Sequence, residues 1–283
     1  MLVTLNDVLK HTKSRGFAVP AFNIFGFEDA KAVVEAAEEL NAPVILATNK
    51  VAIANTPIDI LGKMLTQLAN QVNVPVVLHL DHGKDYETAA QAIKAGYSSV
   101  MYDGSQLSFE DNIKTTKEIV RMAHAFSIPV EAEIGSVGYT DPNMKMKAAL
   151  TDPLEAREFA IHTGVDALAV AVGTLHRMEE QTAHIRFDLI EEIEGQIDLP
   201  LVLHGSTGVP DEDLIRIAKT NFGKVNIGTA LRMDFGNTLR KTIQDNPEQF
   251  DRVELFKDPL KQIKQTAKEK ITLLNAHKYH AIL

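Results

Sequence analysis

The sequence predicts an α/β protein folded as a (β/α)8 barrel, the TIM barrel, with additional helices at its C-terminal end. Short β-branched runs alternate with amphipathic stretches of helical length, eight such runs can be counted, and 283 residues is a usual size for one barrel domain. An open, doubly wound parallel sheet is the competing architecture. Because the eight units follow one another without a break, we expect a closed barrel and a single domain over residues 1–283.

The predicted strands share one entry signal. Four of them carry proline at or just before the first residue, at Pro43, Pro75, Pro129 and Pro200, where a missing N–H least disturbs a hydrogen-bond ladder. Strands are expected at 19–24, 43–48, 75–81, 99–103, 129–134, 167–173, 201–204 and 224–227. Helices are expected at 28–39, 86–95, 111–126, 153–163 and 211–219, with two or more helices in 239–283 and a lid or binding loop at 135–150.

Composition and charge exclude several classes of function. The formal net charge is −9 and no run of Lys and Arg offsets it locally, so we expect no nucleic-acid partner. The chain has no cysteine, so a metal would be held by His, Asp or Glu. Residues 1–10 lack the apolar core of a signal peptide, and no apolar run approaches the ~20 residues of a membrane span. We therefore predict a cytoplasmic protein without a membrane partner.

Three histidines close predicted strands and would meet at one rim of the barrel. Active sites of parallel barrels form at the C-terminal ends of the strands, and His82, His176 and His204 follow strands three, six and seven. Three histidine ligands leave an open position in a catalytic zinc site. His79 is the alternative to His82, but its place inside the strand suits a packing or hydrogen-bonding residue, and we prefer His82.

Carboxylates gather on the same rim, at Asp81, Asp103, Glu131 and Glu133. Inward-facing acids near a cation stay ionised at little cost, because the cation offsets their desolvation. Asp81 is the strongest catalytic candidate. Its alternative role is only to orient a neighbouring histidine through a hydrogen bond.

Two segments rich in small residues predict a phosphate site. Gly205-Ser206-Thr207-Gly208 follows strand seven, and Asn226-Ile227-Gly228-Thr229 ends strand eight. Barrels often bind phosphate on backbone N–H groups of these two loops, and glycine lets the main chain approach closely.

Taken together, these residues resemble those of the class II, metal-dependent ketose-bisphosphate aldolases, the family of fructose-bisphosphate and tagatose-bisphosphate aldolases. The resemblance covers nearly the whole chain. It is carried by Pro20-Ala21-Phe22-Asn23, His79-Leu80-Asp81-His82-Gly83, Glu131-Ala132-Glu133-Ile134-Gly135, Gly173-Thr174-Leu175-His176, His204-Gly205-Ser206 and Asn226-Ile227-Gly228-Thr229.

The resemblance implies an aldehyde-lyase that depends on one zinc ion per chain. His82, His176 and His204 would be the zinc ligands, Asp103 and Glu133 would lie in the outer metal environment, and Asp81 would exchange the proton at the oxygen of the bond being cleaved. Asn23 and the backbone of 205–207 and 226–229 would bind the substrate and its phosphate, helped by a monovalent cation. A homodimer or homotetramer is expected by the same analogy.

The chain departs from the family pattern at three places. The family usually has glycine where this chain has Arg177, and a turn of small residues where it has Thr48-Asn49-Lys50, so Thr48, Lys50 and Arg177 are predicted substrate-binding residues. The family's mobile loop usually offers a glutamate as base, whereas residues 136–150 contain none. Asp141 is the only carboxylate there and is the hypothetical base.

Three functions stay open at this point. The first is an aldolase that releases dihydroxyacetone phosphate from a ketose 1,6-bisphosphate or 1-phosphate, a step of carbohydrate metabolism. The second keeps the zinc chemistry but acts on a ketose with a sulfonate or carboxylate, because Arg177 and Lys50 could bind such a group through charge-assisted hydrogen bonds. The third is a non-catalytic barrel that binds a phosphosugar.

Overall fold

The computed structural model describes residues 1–140 and 148–282, and within them eight parallel strands form a closed barrel. The strands are Val19–Asn23 (β1), Val44–Thr48 (β2), Val76–Gly83 (β3), Ser99–Tyr102 (β4), Val130–Ile134 (β5), Ala167–Val170 (β6), Leu201–Leu203 (β7) and Phe222–Ile227 (β8). Closure is direct, because β1 pairs with β2 on one side and with β8 on the other. The predicted TIM barrel is confirmed, and an open doubly wound sheet is excluded.

Helices surround the barrel between its strands. They are Leu5–Leu9 (α1), Thr12–Arg15 (α2), Phe27–Glu39 (α3), Lys50–Asn55 (α4), Ile58–Ala69 (α5), Tyr86–Lys94 (α6), Phe109–His124 (α7), Pro153–Thr163 (α8), Phe187–Glu194 (α9), Asp211–Ile217 (α10), Thr229–Asp245 (α11) and Arg252–Leu273 (α12), with 3-10 turns at Ser206–Gly208 and Ala276–Ile282. Residues that cap a helix made the bounds of some helices predictable from the sequence. For α8, Asp152 accepts from two backbone N–H groups, Pro153 opens the first turn, and Gly164 ends the helix with φ 68°.

The strand ends differ from prediction where the site is built. β3 continues past Asp81 to Gly83, with an irregular register against β4 between Leu80 and Gly83. β6 stops at Val170, and the chain then turns at Gly173, where φ is 111° and an added Cβ would lie 2.2 Å from the carbonyl oxygen of His184. These irregular strand ends are where two of the predicted histidine ligands lie, His82 at the end of β3 and His176 after β6.

The barrel interior is closed with apolar side chains at the N-terminal end of the strands. Inward residues such as Ala21, Ile45 and Val77 pack with Leu5 and Leu9 of α1 in one buried cluster. A second, larger apolar cluster fills the space between the strands and the outer helices. Polar inward residues are therefore concentrated toward the C-terminal ends of the strands, where a barrel site is expected.

The C-terminal helices pack on the outside of the barrel, as predicted, but begin earlier. α11 starts at Thr229, directly after the predicted phosphate loop, rather than near 239. α12 packs against α3, burying Ile263 and Ala267 between them, and its Lys264 pairs with Glu39 of α3 at 2.6 Å. None of the helices in the described part of the chain has the length and apolar character to cross a membrane.

Candidate active site

The three predicted histidine ligands converge at the C-terminal end of the barrel. His82 lies at the irregular end of β3 with φ 51°, His176 lies in the turn after β6, and His204 directly follows β7. One ring nitrogen of each lies within 4.8 Å of the others. Nε2 of His82 and Nδ1 of His204 are 3.0 Å apart, and the His82 ring lies 5.1 Å from that of His176.

Carboxylates hold the outer nitrogens of two of these rings. Nδ1 of His82 lies 2.8 Å from Oδ2 of Asp103, and Nε2 of His204 lies 3.0 Å from Oε1 of Glu131. An ionised carboxylate only accepts hydrogen bonds, so these outer nitrogens donate. The two inner nitrogens face each other, and in neutral rings both would present lone pairs. Two lone pairs at 3.0 Å repel unless a cation lies between or beside them. The residues therefore fit a metal ion, and a set of three histidines suits zinc.

The protonation of the histidines depends on burial and on the acids around them. Burial lowers the pKa of His176 and of His204, which favours the neutral form that binds metal. Burial also disfavours charge on His82, but Asp81 and Asp103 outweigh it and raise the pKa of His82 to about 10 in the absence of a metal. This position attracts a cation strongly, and a metal ion would replace the proton there.

His79 lies apart from this group. Its Nδ1 is 2.8 Å from Oγ of Ser99, and burial, assisted by Lys224, lowers the pKa of His79 to about 3. The ring is therefore a neutral, fully buried residue of the barrel interior. The geometry favours His82 over His79 as the metal-facing residue, as the sequence suggested.

Asp81 lies beside the histidines and is held by two side-chain amides. Its Oδ2 accepts a hydrogen bond from Nδ2 of Asn23 at 2.7 Å, and its Oδ1 accepts one from Nδ2 of Asn226 at 3.0 Å. Burial alone would raise the pKa of Asp81, but the positive groups around it, His82 and His204 first, outweigh burial and hold the pKa below its usual range. Asp81 is thus an ionised and oriented proton acceptor that lines the cavity.

Asp103 and Glu133 form a second group with His82, again with ligand atoms within 4.8 Å of one another. Oδ1 of Asp103 accepts from the Ser105 hydroxyl at 2.7 Å. Glu133 accepts from the backbone N–H of Val137 at 3.0 Å, while its other oxygen has no hydrogen-bond partner among the described residues. Burial, followed by the charge of Asp103, raises the pKa of Glu133 to about 8. The predicted outer metal environment is therefore close to the three histidines.

A cavity of about 330 Å³ opens above the histidines, and most of the predicted substrate-binding residues line it. These are Asn23, Lys50, Arg177, Gly205, Ser206, Thr207, Asn226, Gly228 and Thr229. Gly205 has φ 70°, and an added Cβ would lie 2.5 Å from the carbonyl oxygen of Leu175. Gly228 immediately precedes α11, so the loops after β7 and β8 both bring small residues to the cavity wall.

Two predicted substrate-binding residues, Thr48 and Ile227, do not line this cavity with their side chains, although Ile227 was predicted to contribute only its backbone. Thr48 is buried with its hydroxyl 2.7 Å from that of Tyr97, and Ile227 packs in the apolar layer between strands and helices. The reason is the alternation of side chains along a strand: Ile45 points into the barrel, so Thr48 points out, and Asn226 points in, so Ile227 points out. Asp141, the hypothetical base, lies outside the described residues.

Lys84, Tyr139 and Arg232 are among the cavity residues that the sequence reasoning missed. Tyr139 lies 4.8 Å from the ring of His176, and the guanidinium of Arg177 lies 5.7 Å from the Tyr139 ring. Arg232 lies one helical turn after Thr229, so its position on the cavity side of α11 could have been found from helical periodicity. Lys84 directly follows the histidine motif of β3.

The cavity is rich in cations that form no ion pair within the described part of the chain. Across residues 1–140 and 148–282, no carboxylate forms an ion pair with Lys50, Lys84, Arg177 or Arg232. In a chain with a net charge of −9, such a cluster indicates an anionic ligand.

Comparisons with known proteins identify the family of the chain. Residues 3–278 match the family of class II fructose-bisphosphate aldolases. The YdjI aldolase of Escherichia coli K12 superposes with a TM-score of 0.87 at 32% identity, covering 98% of each chain. A putative fructose-1,6-bisphosphate aldolase of Coccidioides immitis (TM-score 0.87, 23% identity, 99% and 98% covered) and the fructose-bisphosphate aldolase of Campylobacter jejuni (0.80, 22%, 97% and 96%) share the fold. The chain therefore belongs to the class II fructose-bisphosphate aldolase family.

Proposed function

We propose that this aldolase is zinc-dependent and reversibly cleaves a ketose 1,6-bisphosphate or 1-phosphate to dihydroxyacetone phosphate and an aldehyde. The observation that carries the proposal is the meeting of His82, His176 and His204 beside Asp81, at the base of a cavity lined by cations that form no ion pair with any described residue. A barrel that only binds a phosphosugar would need the cations but not this convergent set of donors.

His82, His176 and His204 would hold the metal, with Asp103 and Glu131 orienting two of the rings. When bound, the zinc ion supplies an electrophile that draws negative charge from the carbonyl and adjacent hydroxyl oxygens of the substrate. The chain contributes by fixing the direction of the His82 and His204 ring nitrogens before substrate arrives, so that little reorganisation is needed during the reaction.

Asp81 would move the proton. Its carboxylate accepts one amide hydrogen bond on each oxygen and keeps further lone pairs that can accept the substrate's hydroxyl proton. In cleavage, Asp81 takes the proton from the hydroxyl oxygen at the bond being broken. In condensation, it returns this proton to the oxygen of the aldehyde, so one residue serves both directions.

The phosphate of dihydroxyacetone phosphate would lie against the loops after β7 and β8. Gly205, Ser206 and Thr207 begin a 3-10 turn, and Gly228 and Thr229 begin α11. Helix starts present backbone N–H groups without partners in the helix, which favours an anion. The guanidinium of Arg232, on the same helix and wall, adds positive charge.

A coupled assay for dihydroxyacetone phosphate tests this proposal. Candidate ketose phosphates are supplied to the zinc-loaded protein, and the product is reduced by a dehydrogenase whose NADH consumption is recorded. We expect turnover that is abolished by a zinc chelator and restored by added zinc. Absence of turnover with every phosphorylated ketose tried would contradict the proposal. Binding of the sugar phosphate without turnover would instead indicate a non-catalytic barrel.

A second candidate function keeps the same chemistry but changes the distal group of the ketose to a carboxylate or sulfonate. It is favoured by Arg177 and Lys50, which line the cavity as unpaired cations among the described residues. The test compares kcat/KM for ketose 1-phosphates that carry or lack a second anionic group. Arg177→Ala should lower kcat/KM only for the substrate that carries the second anionic group. An equal effect on both substrates would show that Arg177 does not bind that group.

A further inference from the structure

A buried ion pair lies inside the barrel, next to the proposed metal site. Nζ of Lys224 on β8 is 2.9 Å from Oε2 and 3.2 Å from Oε1 of Glu131 on β5, and both side chains are 0% exposed. The two residues are far apart in sequence and meet only because the barrel closes.

Such a pair is poorly explained by stability alone. The free energy needed to remove two charges from water often exceeds the free energy gained from their attraction. Apolar residues of similar volume can therefore often replace a buried ion pair without loss of stability. Other positions inside the barrel carry apolar residues, such as Val77 and Val202. The position of the pair, rather than its contribution to folding, is therefore informative.

The carboxylate of Glu131 contacts one of the proposed metal ligands. Its Oε1 lies 3.0 Å from Nε2 of His204, while Nδ1 of the same ring faces Nε2 of His82 at 3.0 Å. A carboxylate can only accept from Nε2, and this places the ring hydrogen on Nε2 and the lone pair on Nδ1. The direction in which His204 offers its lone pair is thus set by Glu131.

Lys224 and His79 limit the movement of this carboxylate. Lys224 contacts both oxygens, and Nε2 of His79 lies 3.5 Å from Oε2. The His79 ring is itself held by Ser99 through Nδ1 at 2.8 Å. The Glu131 carboxylate thus lies between Lys224, His79 and His204, and contacts with the first two restrict its orientation toward the third.

We propose that Lys224 and Glu131 are positioning residues of the metal site: Lys224 holds the Glu131 carboxylate, and Glu131 holds the His204 ring with Nδ1 directed at the metal. The inference rests on the proposed function, because it takes His204 as a ligand. It adds two residues that touch neither metal nor substrate but set the affinity for the metal.

The test is a double variant, Glu131→Leu with Lys224→Met, which removes both charges together and keeps similar volumes. The purified protein is stripped of metal, and its zinc affinity is measured by competition with a chromophoric chelator. We expect affinity to fall about 10- to 100-fold. The visible spectrum of the cobalt-loaded variant should also change, since it reports ligand geometry. The metal-free variant should stay folded, with a somewhat lower melting temperature because Nε2–H of His204 loses its buried acceptor.

The matched control is Glu39→Leu with Lys264→Met, which removes an exposed pair of the same residue types between α3 and α12. This control should bind zinc like the parent. A folded Glu131→Leu/Lys224→Met protein with unchanged zinc affinity would overturn the inference, and so would a lower melting temperature without a change in affinity, because either result describes a purely structural pair.

Nitrogen-15 NMR of the unsubstituted, metal-free protein gives a second test that does not depend on the Glu131→Leu/Lys224→Met protein folding. The His204 signals, assigned by their loss in His204→Ala, should show a protonated Nε2, and zinc should shift Nδ1. The opposite tautomer would overturn the inference. If His204→Ala itself left zinc affinity unchanged, the proposed metal site would fail instead, so the two failures are distinguishable.

Discussion

Asp81→Asn is the substitution that most sharply separates proton transfer from metal binding. The carboxylate of Asp81 accepts from Asn23 on one oxygen and from Asn226 on the other. An asparagine offers one carbonyl oxygen and one N–H₂ group, so one of these two donors loses its acceptor. Leaving one buried donor unpaired costs about 1–3 kcal/mol of stability. Loss of a general acid–base group lowers kcat by about 10²- to 10⁴-fold.

The assay measures kcat through dihydroxyacetone phosphate release, zinc content per chain, and the melting temperature. Because Asp81 lies 4.0 Å from the nearest nitrogen of His82 and is not one of the three donors, the variant should keep its zinc. Asp188→Asn, at an exposed aspartate paired with Arg186, is the matched control and should keep full kcat. A variant that retains zinc and loses less than about tenfold in kcat would refute the role of Asp81.

Further predictions concern the metal, the phosphate loop and pH. Removing zinc with a chelator should lower the melting temperature, because a ligand at about 100 times its Kd stabilises the folded state by about 2.7 kcal/mol; a scan that does not change on zinc removal would argue against the site. Asp103→Ala should weaken zinc binding about 10- to 100-fold by removing the acceptor of Nδ1 of His82, and affinity equal to the parent would contradict this. Gly205→Ala should raise KM for the phosphorylated substrate and destabilise the protein, because the added Cβ would lie 2.5 Å from a carbonyl oxygen. The control Gly164→Ala, at φ 68° with nothing within 4 Å of the added Cβ, should lose only about 1 kcal/mol of stability. Similar effects at both positions would be inconsistent with a crowded loop at Gly205. Hydrogen bonds from Lys264 and then Lys268 lower the pKa of Glu39 from 4.5 to about 2, so the contribution of Glu39 to stability is present above pH 4.5 and is lost as the pH falls toward 2. The difference in melting temperature between Glu39→Gln and the parent should therefore shrink over that pH interval. A constant difference would exclude the ion pair as its cause.

The barrel was predictable because every strand carries its own signal. β-branched runs, prolines at strand entry and capped helices are local features, and they predicted all eight strands and the exact bounds of α8. His82, His176 and His204 could be predicted because strand ends share one rim in a parallel barrel. The error at Thr48 came from treating a whole motif as site residues, although side-chain alternation from Ile45 directs it outward. The prediction for Ile227 concerns its backbone, which its outward side chain does not test.

Other parts of the site could not be predicted because they depend on contacts between distant segments. Lys224 on β8 meets Glu131 on β5 only after barrel closure, and no spacing in the sequence signals that pair. Tyr139 reaches His176 because the loop after β5 forms a short bridge with the turn after β6. In both cases the chemistry of the individual residue was visible in the sequence, but its partner was not.

Anomalous scattering at the zinc edge, from a crystal of the zinc-loaded protein, tests most directly whether these histidines bind one metal. We predict one peak at about 2.0–2.1 Å from Nε2 of His82, Nδ1 of His204 and a ring nitrogen of His176, beside the Asp81 carboxylate. A peak elsewhere in the molecule, or no peak in a sample that is fully active, would contradict the account.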